Sequence, residues 1–233
     1  MKKKIKQFIL ILCSFLILYC SITVALGYQK YKEGLKLTPL RETVNAIIQD
    51  DSYLTLDEIS PVFIEAILAV EDPYFYSHHG IEFTKLLDAF ITDLIHLDFV
   101  KGGSTISQQL AKNLFLNQEK VLSRKIAELF FVRDLEAMLS KDEILTLYLN
   151  IIYFGDGYYG IHDASKGYFN VSADKLNLDQ ASLLAGLPQA PAVYQLSSGY
   201  ELALKRQKIV LESMVKQGLI KEEEYAPIID KNN

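Results

Sequence analysis

An acidic pair, Glu71 and Asp72, opens a segment of aromatic residues and two histidines that ends at Gly80. The carboxylate of Glu71 is expected where a predicted helix gives way to a loop, so this residue is a candidate for chemistry. Alone the segment is ambiguous, because acidic pairs are often solvated and adjacent histidines often serve hydrogen bonding. A zinc pair on a helix needs another histidine spacing, so we predict no metal site here. The other motif residues are Asp72, Phe75, His78 and Gly80.

Two glycines lead into a predicted helix with polar residues on successive turns, in the segment 102–113. Ser104, Gln108 and Lys112 are four residues apart, so we expect them on one helix face as a column of donors ending in a cation. Amides at a helix start favour an anion, whereas the plain alternative is a capped helix with a solvated stripe. The candidate binding residues are Ser104, Thr105, Gln108, Gln109, Lys112 and Asn113, preceded by Gly102 and Gly103.

Positive charge concentrates in the next stretch of the chain, at Lys120, Arg124 and Lys125. Arg124 and Glu128 are one helical turn apart, so one interpretation is an ion pair of small energetic value. The other is a phosphate site, because guanidinium groups bind phosphate oxygens through paired hydrogen bonds.

Helices are predicted to position these residues, because apolar side chains recur at helical spacing through most of the chain. Ser60 followed by Pro61 predicts a helix start, and the apolar face that follows predicts a helix end at Glu71. Strand signals are limited to residues 151–154, so we predict a mainly α fold. Further helices are predicted over 83–97, 104–115 and 123–139, and over 200–217 before Gly218. Two more are predicted from their caps: one begins after the capping box of Ser140 and Glu143, and one runs from the cap of Asn177 with Gln180 to Gly186.

The beginning of the chain predicts a membrane anchor. Residues 8–26 are apolar apart from three hydroxyl residues, which is long enough to span a bilayer, and four lysines ahead of them favour a cytoplasmic N-terminus. A cleaved signal peptide is the alternative. Both cysteines, Cys13 and Cys20, lie in this run, so the predicted outer part has no thiol for a disulfide, zinc site or nucleophile. The net charge of −5 argues against a nucleic-acid binder.

The predicted organisation has five parts along the chain. After the basic end (1–7) and the transmembrane helix (8–26), residues 27–53 are expected to form a stalk broken at Gly27, Gly34 and Pro39. One globular domain (54–225) and a short tail (226–233) follow. Within the domain, residues 83–100 are unusually apolar, which fits either core packing or a second contact with the membrane interface.

Together and in order, these segments strongly resemble the peptidoglycan glycosyltransferases, found in bifunctional penicillin-binding proteins and as monofunctional enzymes. The resemblance covers about residues 56–214, and without a transpeptidase segment after it the monofunctional type is expected. The family motifs Glu-Asp-x-x-Phe-x-x-His-x-Gly, Gly-Gly-Ser-Thr-Ile-x-Gln-Gln-x-x-Lys-Asn and Arg-Lys-x-x-Glu match residues 71–80, 102–113 and 124–128, and later motifs match 143–150, 152–155, 159–161 and 184–191.

The resemblance implies a lysozyme-like, two-lobed helical domain that polymerises lipid II, a disaccharide-pentapeptide on undecaprenyl pyrophosphate, into β-1,4-linked strands. The reaction would be a single inverting displacement. By this resemblance Glu71 matches the catalytic base and Glu128 the second essential carboxylate. Lys112, Arg124 and Lys120 match positions that face the leaving pyrophosphate, and Ser104, Gln108 and Gln109 match substrate contacts.

The same resemblance sets the expected partners and cofactors. The partners are lipid II, the growing lipid-linked strand, the cytoplasmic membrane and other cell-wall synthases, with no nucleic acid. No cofactor is required, although Mg²⁺ or Mn²⁺ at the pyrophosphate is compatible with the family. Three positions depart from the family pattern: Asp88 and Lys120 stand where arginine is common, and Glu82 where aspartate is usual.

Two other functions stay open at this point. A similar fold with one glutamate could cleave glycan strands as a lysozyme does. A chain that keeps the fold without catalysis could instead serve as a membrane scaffold for cell-wall synthases. The first would have no need for the cations near Arg124, and the second would have no need for Glu71.

Overall fold

Helices form nearly all the regular structure in the computed structural model, which describes residues 2–82, 103–116 and 121–231. The predicted mainly α fold is confirmed for these residues. The predicted helix over 83–97 lies outside them, as does Asp88. The described α-helices are α1 (Lys2–Leu37), α2 (Leu40–Ile48), α3 (Pro61–Glu71), α4 (Ile106–Phe115), α5 (Leu122–Met138), α6 (Lys141–Ile151), α7 (Gly160–Phe169), α8 (Leu178–Gly186), α9 (Pro191–Tyr194), α10 (Tyr200–Lys216) and α11 (Glu222–Lys231).

The helices α3, α6 and α8 begin where the sequence predicts them. Ser60 is the N-cap of α3, and its hydroxyl donates to the carbonyl of Leu176 at 2.9 Å rather than capping its own helix. At α6 the Ser140 hydroxyl accepts the backbone N–H of Glu143, whose carboxylate accepts the N–H of Ser140. The predicted box at Asn177, which begins α8, is confirmed as well.

The start of α4 differs from the prediction. Thr105 is its N-cap, because its hydroxyl accepts the N–H of Gln108 while Oε1 of Gln108 accepts the N–H of Thr105 at 3.0 Å. Ser104 therefore precedes the helix, and the side chain of Gln108 turns back into the cap. The predicted column of Ser104, Gln108 and Lys112 on one helix face is wrong for this reason.

The predicted breaks of the stalk at Gly27 and Gly34 are wrong, because both glycines lie inside α1. A Cβ at Gly27 would lie 2.5 Å from Cβ of Ile126, and one at Gly34 would lie 2.7 Å from Cζ of Phe131. Both glycines allow α1 to approach α5 closely, which outweighs their low helix propensity. Pro39 does separate α1 from α2.

Two groups of helices meet around the candidate site. In one group α3, α8 and α10 pack on each other, and in the other α4 packs on both α5 and α6. Fully buried aromatic side chains lie in each group, including Phe63 of α3 and Phe131 of α5. The end of α3 and the start of α4 therefore lie close together although 34 residues separate Asp72 from Ile106.

Three further predictions concern the second half of the chain. The strand expected at residues 151–154 is wrong, because Ile151 ends α6 and Tyr153 forms only an isolated bridge with Tyr159. The long helix before Gly218 is confirmed as α10, and Gly218 has a left-handed backbone with a φ of 73°. Most of the expected tail instead belongs to α11.

Candidate active site

Glu71 is the last residue of α3, and its side chain is 9% exposed. Nε2 of Gln109, on α4, donates to Oε2 of Glu71 at 2.6 Å. The hydroxyl of Tyr148 lies 3.3 Å from Oε1 of Gln109, and burial, with the charges of Glu71 and Asp72, raises the pKa of Tyr148 well above its usual value. Tyr148 therefore stays protonated and orients the Gln109 amide so that its N–H points at the Glu71 carboxylate.

Arg206 of α10 is a site residue that the sequence analysis missed. Its Nη2 lies 3.5 Å from Oε1 of Glu71, and its side chain is 10% exposed. Gly186 leaves the space for the arginine stem, since a Cβ there would lie 2.8 Å from Cγ of Arg206. The signal in the sequence was weak, because a single arginine in a helix of mixed charge resembles a solvated residue.

Replacing Arg206 by methionine tests this contact with a side chain of similar length. We expect the rate of the reaction that uses Glu71 to fall about tenfold, because the Glu71 carboxylate loses a group that orients it and compensates its charge. A tenfold fall corresponds to an activation free energy higher by about 1.4 kcal/mol. The measurement is the initial rate of glycan polymerisation, the reaction expected from the sequence. Lys205→Met, at the neighbouring exposed position of α10, is the control and should leave the rate unchanged. An unchanged rate in Arg206→Met would show that Glu71 does not need this cation.

Asp72 joins the end of α3 to the start of α4 and is fully buried. Its Oδ2 accepts the N–H of Ile106 at 2.9 Å, and its carboxylate lies 3.0 Å from Nε2 of His78. Nδ1 of His78 accepts the N–H of Gly80 at 3.1 Å, which places the ring proton on Nε2, facing Asp72. The first motif therefore positions Glu71 by fixing the residue after it to the N-terminus of the helix that carries Gln109.

Gly80 has a left-handed backbone, with a φ of 80°, and packs against α5. A Cβ at this position would overlap Cγ1 of Val132 and lie 2.9 Å from Cγ of Glu136. We expect Gly80→Ala to lower the free energy of unfolding by roughly 2–4 kcal/mol, because a strained backbone and overpacking act together. Gly157 has a φ of 87°, and a Cβ there would meet nothing within 4 Å. A substitution at Gly157 therefore measures the effect of backbone strain alone on the free energy of unfolding.

In the control variant Gly157→Ala, only the backbone is strained, and we expect a loss of about 1–2 kcal/mol. Chemical denaturation of both variants measures the two values. Equal losses would mean that α5 moves aside at no cost and that Gly80 is required for its backbone alone.

A buried carboxylate organises the cations at the start of α5. Glu128 is 1% exposed, and its two oxygens separately accept bonds from Nη1 of Arg124, at 3.1 Å, and from Nζ of Lys125. Lys125 also donates to the hydroxyl of Ser104 at 3.1 Å. The ion pair expected for Arg124 and Glu128 is present, and it belongs to a cluster rather than to an isolated surface pair.

Lys112 lies on α4 one turn beyond Gln109, within the field of both carboxylates. Burial lowers its pKa; the charges of Glu128 and Glu71 oppose this shift, and those of Arg124 and Lys125 add to it. In the described residues no carboxylate forms an ion pair with Lys112. A partly desolvated ammonium group beside other cations is suited to an anionic ligand.

The remaining predicted residues divide into structural and exposed positions. Thr105 is buried, and its hydroxyl donates to the carbonyl of Gly80 at 2.6 Å. Phe75 is buried, with Nζ of Lys141 at 4.5 Å from its ring centre, whereas Asn113 is exposed. Substrate contacts of Thr105, Gln108 and Asn113 stay predictions. Gly102 and Lys120 lie outside the described residues.

One group of side chains in the described residues has the composition of a metal site. Asp72, His78 and Glu82 each offer a ligand atom, all within 4.8 Å of one another. The hydrogen bond between Nε2 of His78 and the carboxylate of Asp72 accounts for the closeness of these two residues. A divalent cation at the pyrophosphate stays a prediction.

In the described part of the chain, α1 alone is long and apolar enough to cross a membrane, over Lys4–Leu37. Its first part is exposed, from Ile5 to Ile22, and both cysteines there are free. The prediction of an apolar, membrane-compatible helix at the start of the chain is confirmed, and its orientation stays a prediction.

Comparisons with known proteins show what this chain is similar to. The chain is 42% identical to penicillin-binding protein 1A of Aquifex aeolicus, over 79% of this chain and 25% of that protein. It is 43% identical to penicillin-binding protein 1A/1B of Bacillus subtilis, over 75% and 19%, and 40% identical to penicillin-binding protein 1A of Escherichia coli, over 74% and 20%. The chain thus spans a quarter or less of the length of these curated relatives.

A family model and a solved structure give two further comparisons. The crystal structure of penicillin-binding protein 1A from Haemophilus influenzae is similar with a TM-score of 0.42 and 20% identity, covering 76% of this chain and 17% of that chain. The family model described as Transglycosylase matches residues 40–215, which is more than half of the chain and includes every site residue described above. The chain belongs to the transglycosylase family.

Proposed function

We propose that this chain is a peptidoglycan glycosyltransferase that polymerises lipid II at the outer face of the cytoplasmic membrane. The observation that carries the proposal is the position of α4 between a carboxylate and a group of cations. Gln109 of this helix bonds Glu71, and Lys112, one turn further, lies in the field of Glu71 and of the cluster around Glu128. The lysozyme-like, two-lobed form of the fold is part of this proposal.

In the proposed reaction Glu71 acts as the base. Its carboxylate takes the proton from the hydroxyl of the acceptor sugar as that oxygen attacks the anomeric carbon of the growing strand. The bond between this carbon and the pyrophosphate oxygen breaks in the same step, so the configuration inverts and no glycosyl-enzyme forms. Gln109 and Arg206 hold the carboxylate in place, because they contact different oxygens of Glu71.

The cations act on the leaving group. Negative charge grows on the pyrophosphate as the bond breaks, so fixed positive groups aimed at it lower the barrier. Lys112, Arg124 and Lys125 supply that charge, and Glu128 fixes the last two by accepting one bond from each. A glycan-cleaving enzyme of the lysozyme type would have no leaving pyrophosphate and no use for this cluster.

Membrane attachment fits the substrate class. A lipid-linked donor stays in the bilayer, and α1 is apolar enough to keep the enzyme at the same surface. The lysines before the apolar run favour a cytoplasmic N-terminus, which would place the domain outside. The growing lipid-linked strand and other cell-wall synthases are the partners we propose.

Incubation of the purified full chain with labelled lipid II tests the proposal. Formation of long glycan strands with release of undecaprenyl pyrophosphate is the expected result. Shortening of preformed strands without growth would favour the cleaving enzyme. Absence of both reactions, with full support of cell-wall synthesis by a Glu71→Gln chain in cells, would favour a scaffold.

A further inference from the structure

Helix α1 does not leave the domain after the apolar run but continues along α5 in a parallel arrangement. Gly27 approaches Ile126, and further along α1 the ring of Tyr31 contacts the ring of Phe131 at a centroid distance of 5.0 Å. Among the described elements no pair packs more extensively than these two helices. We call this contact the α1–α5 seam and define it by Gly27, Tyr31 and Gly34 on α1 with Ile126, Phe131 and Asp134 on α5.

The seam is close and specific. The missing Cβ of Gly27 and of Gly34 lets backbone and side chains meet at distances that any other residue would prevent. Between the glycines, the hydroxyl of Tyr31 donates to Asp134 in a setting where Tyr31 is only 6% exposed. A flexible tether would need neither the close glycine contacts nor the buried hydrogen bond, because a linker does not pack against the domain.

The seam reaches both helices that carry the cations. A Cβ at Gly34 would lie 2.7 Å from Cζ of Phe131 and 3.4 Å from the carbonyl oxygen of Phe115. The rings of Phe115, at the end of α4, and Phe131, on α5, stack with a centroid distance of 4.4 Å. The contacts of α1 therefore help to hold α4 and α5 in one position relative to each other.

The level of the seam along α1 matches the end of the apolar run. Gly27 directly follows Leu26, the last residue of that run, and a Cβ at Gly27 would lie 3.0 Å from the carbonyl oxygen of Ser123. Arg124 and Lys125 come next on α5. At the same end of α5, Val121 and Leu122 are 44% and 54% exposed, and outward apolar side chains at this level suit a membrane interface.

From this geometry we infer that the α1–α5 seam is a positioning device, which holds the cation cluster about one helical turn, roughly 5 Å, from the membrane surface. At this height the cluster meets the pyrophosphate of a donor whose hydrocarbon chain stays in the bilayer. Because the height is fixed, the entropic cost of bringing the cation cluster to the lipid headgroup is lower. The inference deepens the proposed function and rests on it.

The first test is to separate the helices without touching the site. Gly27→Leu places a side chain against Ile126, and Gln29→Leu adds the same side chain at an exposed position of α1. Both full-length variants and the unsubstituted chain are compared on lipid II in vesicles and in detergent micelles, where no bilayer fixes the height. We expect Gly27→Leu alone to lose activity about tenfold in vesicles, or about 1.4 kcal/mol, and to keep it in detergent.

The second test keeps the seam intact and changes only the height, so it decides the matter even if Gly27→Leu folds poorly. Seven polar, helix-forming residues inserted between Leu26 and Gly27 preserve the helix face and raise the cluster by about 10 Å. We again expect loss of activity in vesicles and recovery in detergent. Equal losses in both media, or no loss in either, would overturn the inference.

A measurement without activity separates this inference from the proposed function. A fluorophore on Leu122→Cys, in a chain with both native cysteines replaced by serine, reports depth through quenchers placed on lipid headgroups. Strong quenching in the parent chain and its loss after the insertion support the seam even if no polymer forms from lipid II. Weak quenching in the parent chain would overturn it even if polymerisation is efficient.

Discussion

Replacement of Glu71, the proposed base, by glutamine is expected to lower the rate of the proposed lipid II polymerisation by about a hundredfold or more, because an amide cannot take the acceptor proton. The shape of the side chain is kept, so Gln109 and Arg206 retain a neighbour of the same size. Initial rates with labelled lipid II measure the effect, and thermal unfolding checks that the fold is unchanged. Binding of the substrate should change far less than turnover.

Glu65→Gln is the matched control for this variant. Glu65 lies on the same helix α3 but is exposed, so the same chemical change there should leave the rate within experimental error. If Glu71→Gln kept more than about a tenth of the parent rate, the decrease would be too small for the removal of a general base. Another residue would then have to take the proton.

Removal of Lys112 is expected to have the second large effect. Lys112→Ala should lower the rate by about a hundredfold, the usual consequence of deleting one group that stabilises charge in the transition state. Lys166→Ala, at an exposed position of α7, is the control and should leave the rate unchanged. A Lys112→Ala chain as active as the parent would remove this residue from the pyrophosphate site.

The pH dependence of Lys112→Arg gives a sharper test of the same role. Burial lowers the pKa of Lys112, so the ammonium loses its proton at a lower pH than an ordinary lysine and the rate should fall as the pH rises through that lowered value. An arginine stays charged over this range. We expect the alkaline decline of the parent enzyme to move to higher pH in Lys112→Arg. An unchanged decline would assign it to another group.

Much of the local structure could be predicted from the sequence, because short-range interactions determine it. The caps at Ser140 and Asn177 and the helix end at Glu71 depend on residues within one turn of each other. The ordered motifs also identify Glu71, Lys112, Arg124 and Glu128 as a group. These residues indicate a carboxylate and cations, but their order along the chain does not show which atoms meet.

The two glycines of α1 show where local reasoning fails. Gly27 and Gly34 have low helix propensity, and their mixed surroundings favoured an irregular stalk. The contact with α5, about 100 residues away in the chain, overrides that propensity and uses the absence of a side chain. No local pattern distinguishes a glycine that ends a helix from one that packs against a distant helix.

The sequence by itself determined the helical class, the membrane-compatible first helix and the residue types of the site, since these follow from periodicity, caps and ordered motifs. Only the tertiary structure decided that Arg206 faces Glu71 and that α1 lies along the helix carrying the cations. The physical reason is the same in each case: burial and close packing join residues far apart in the chain, and their energies outweigh local preferences.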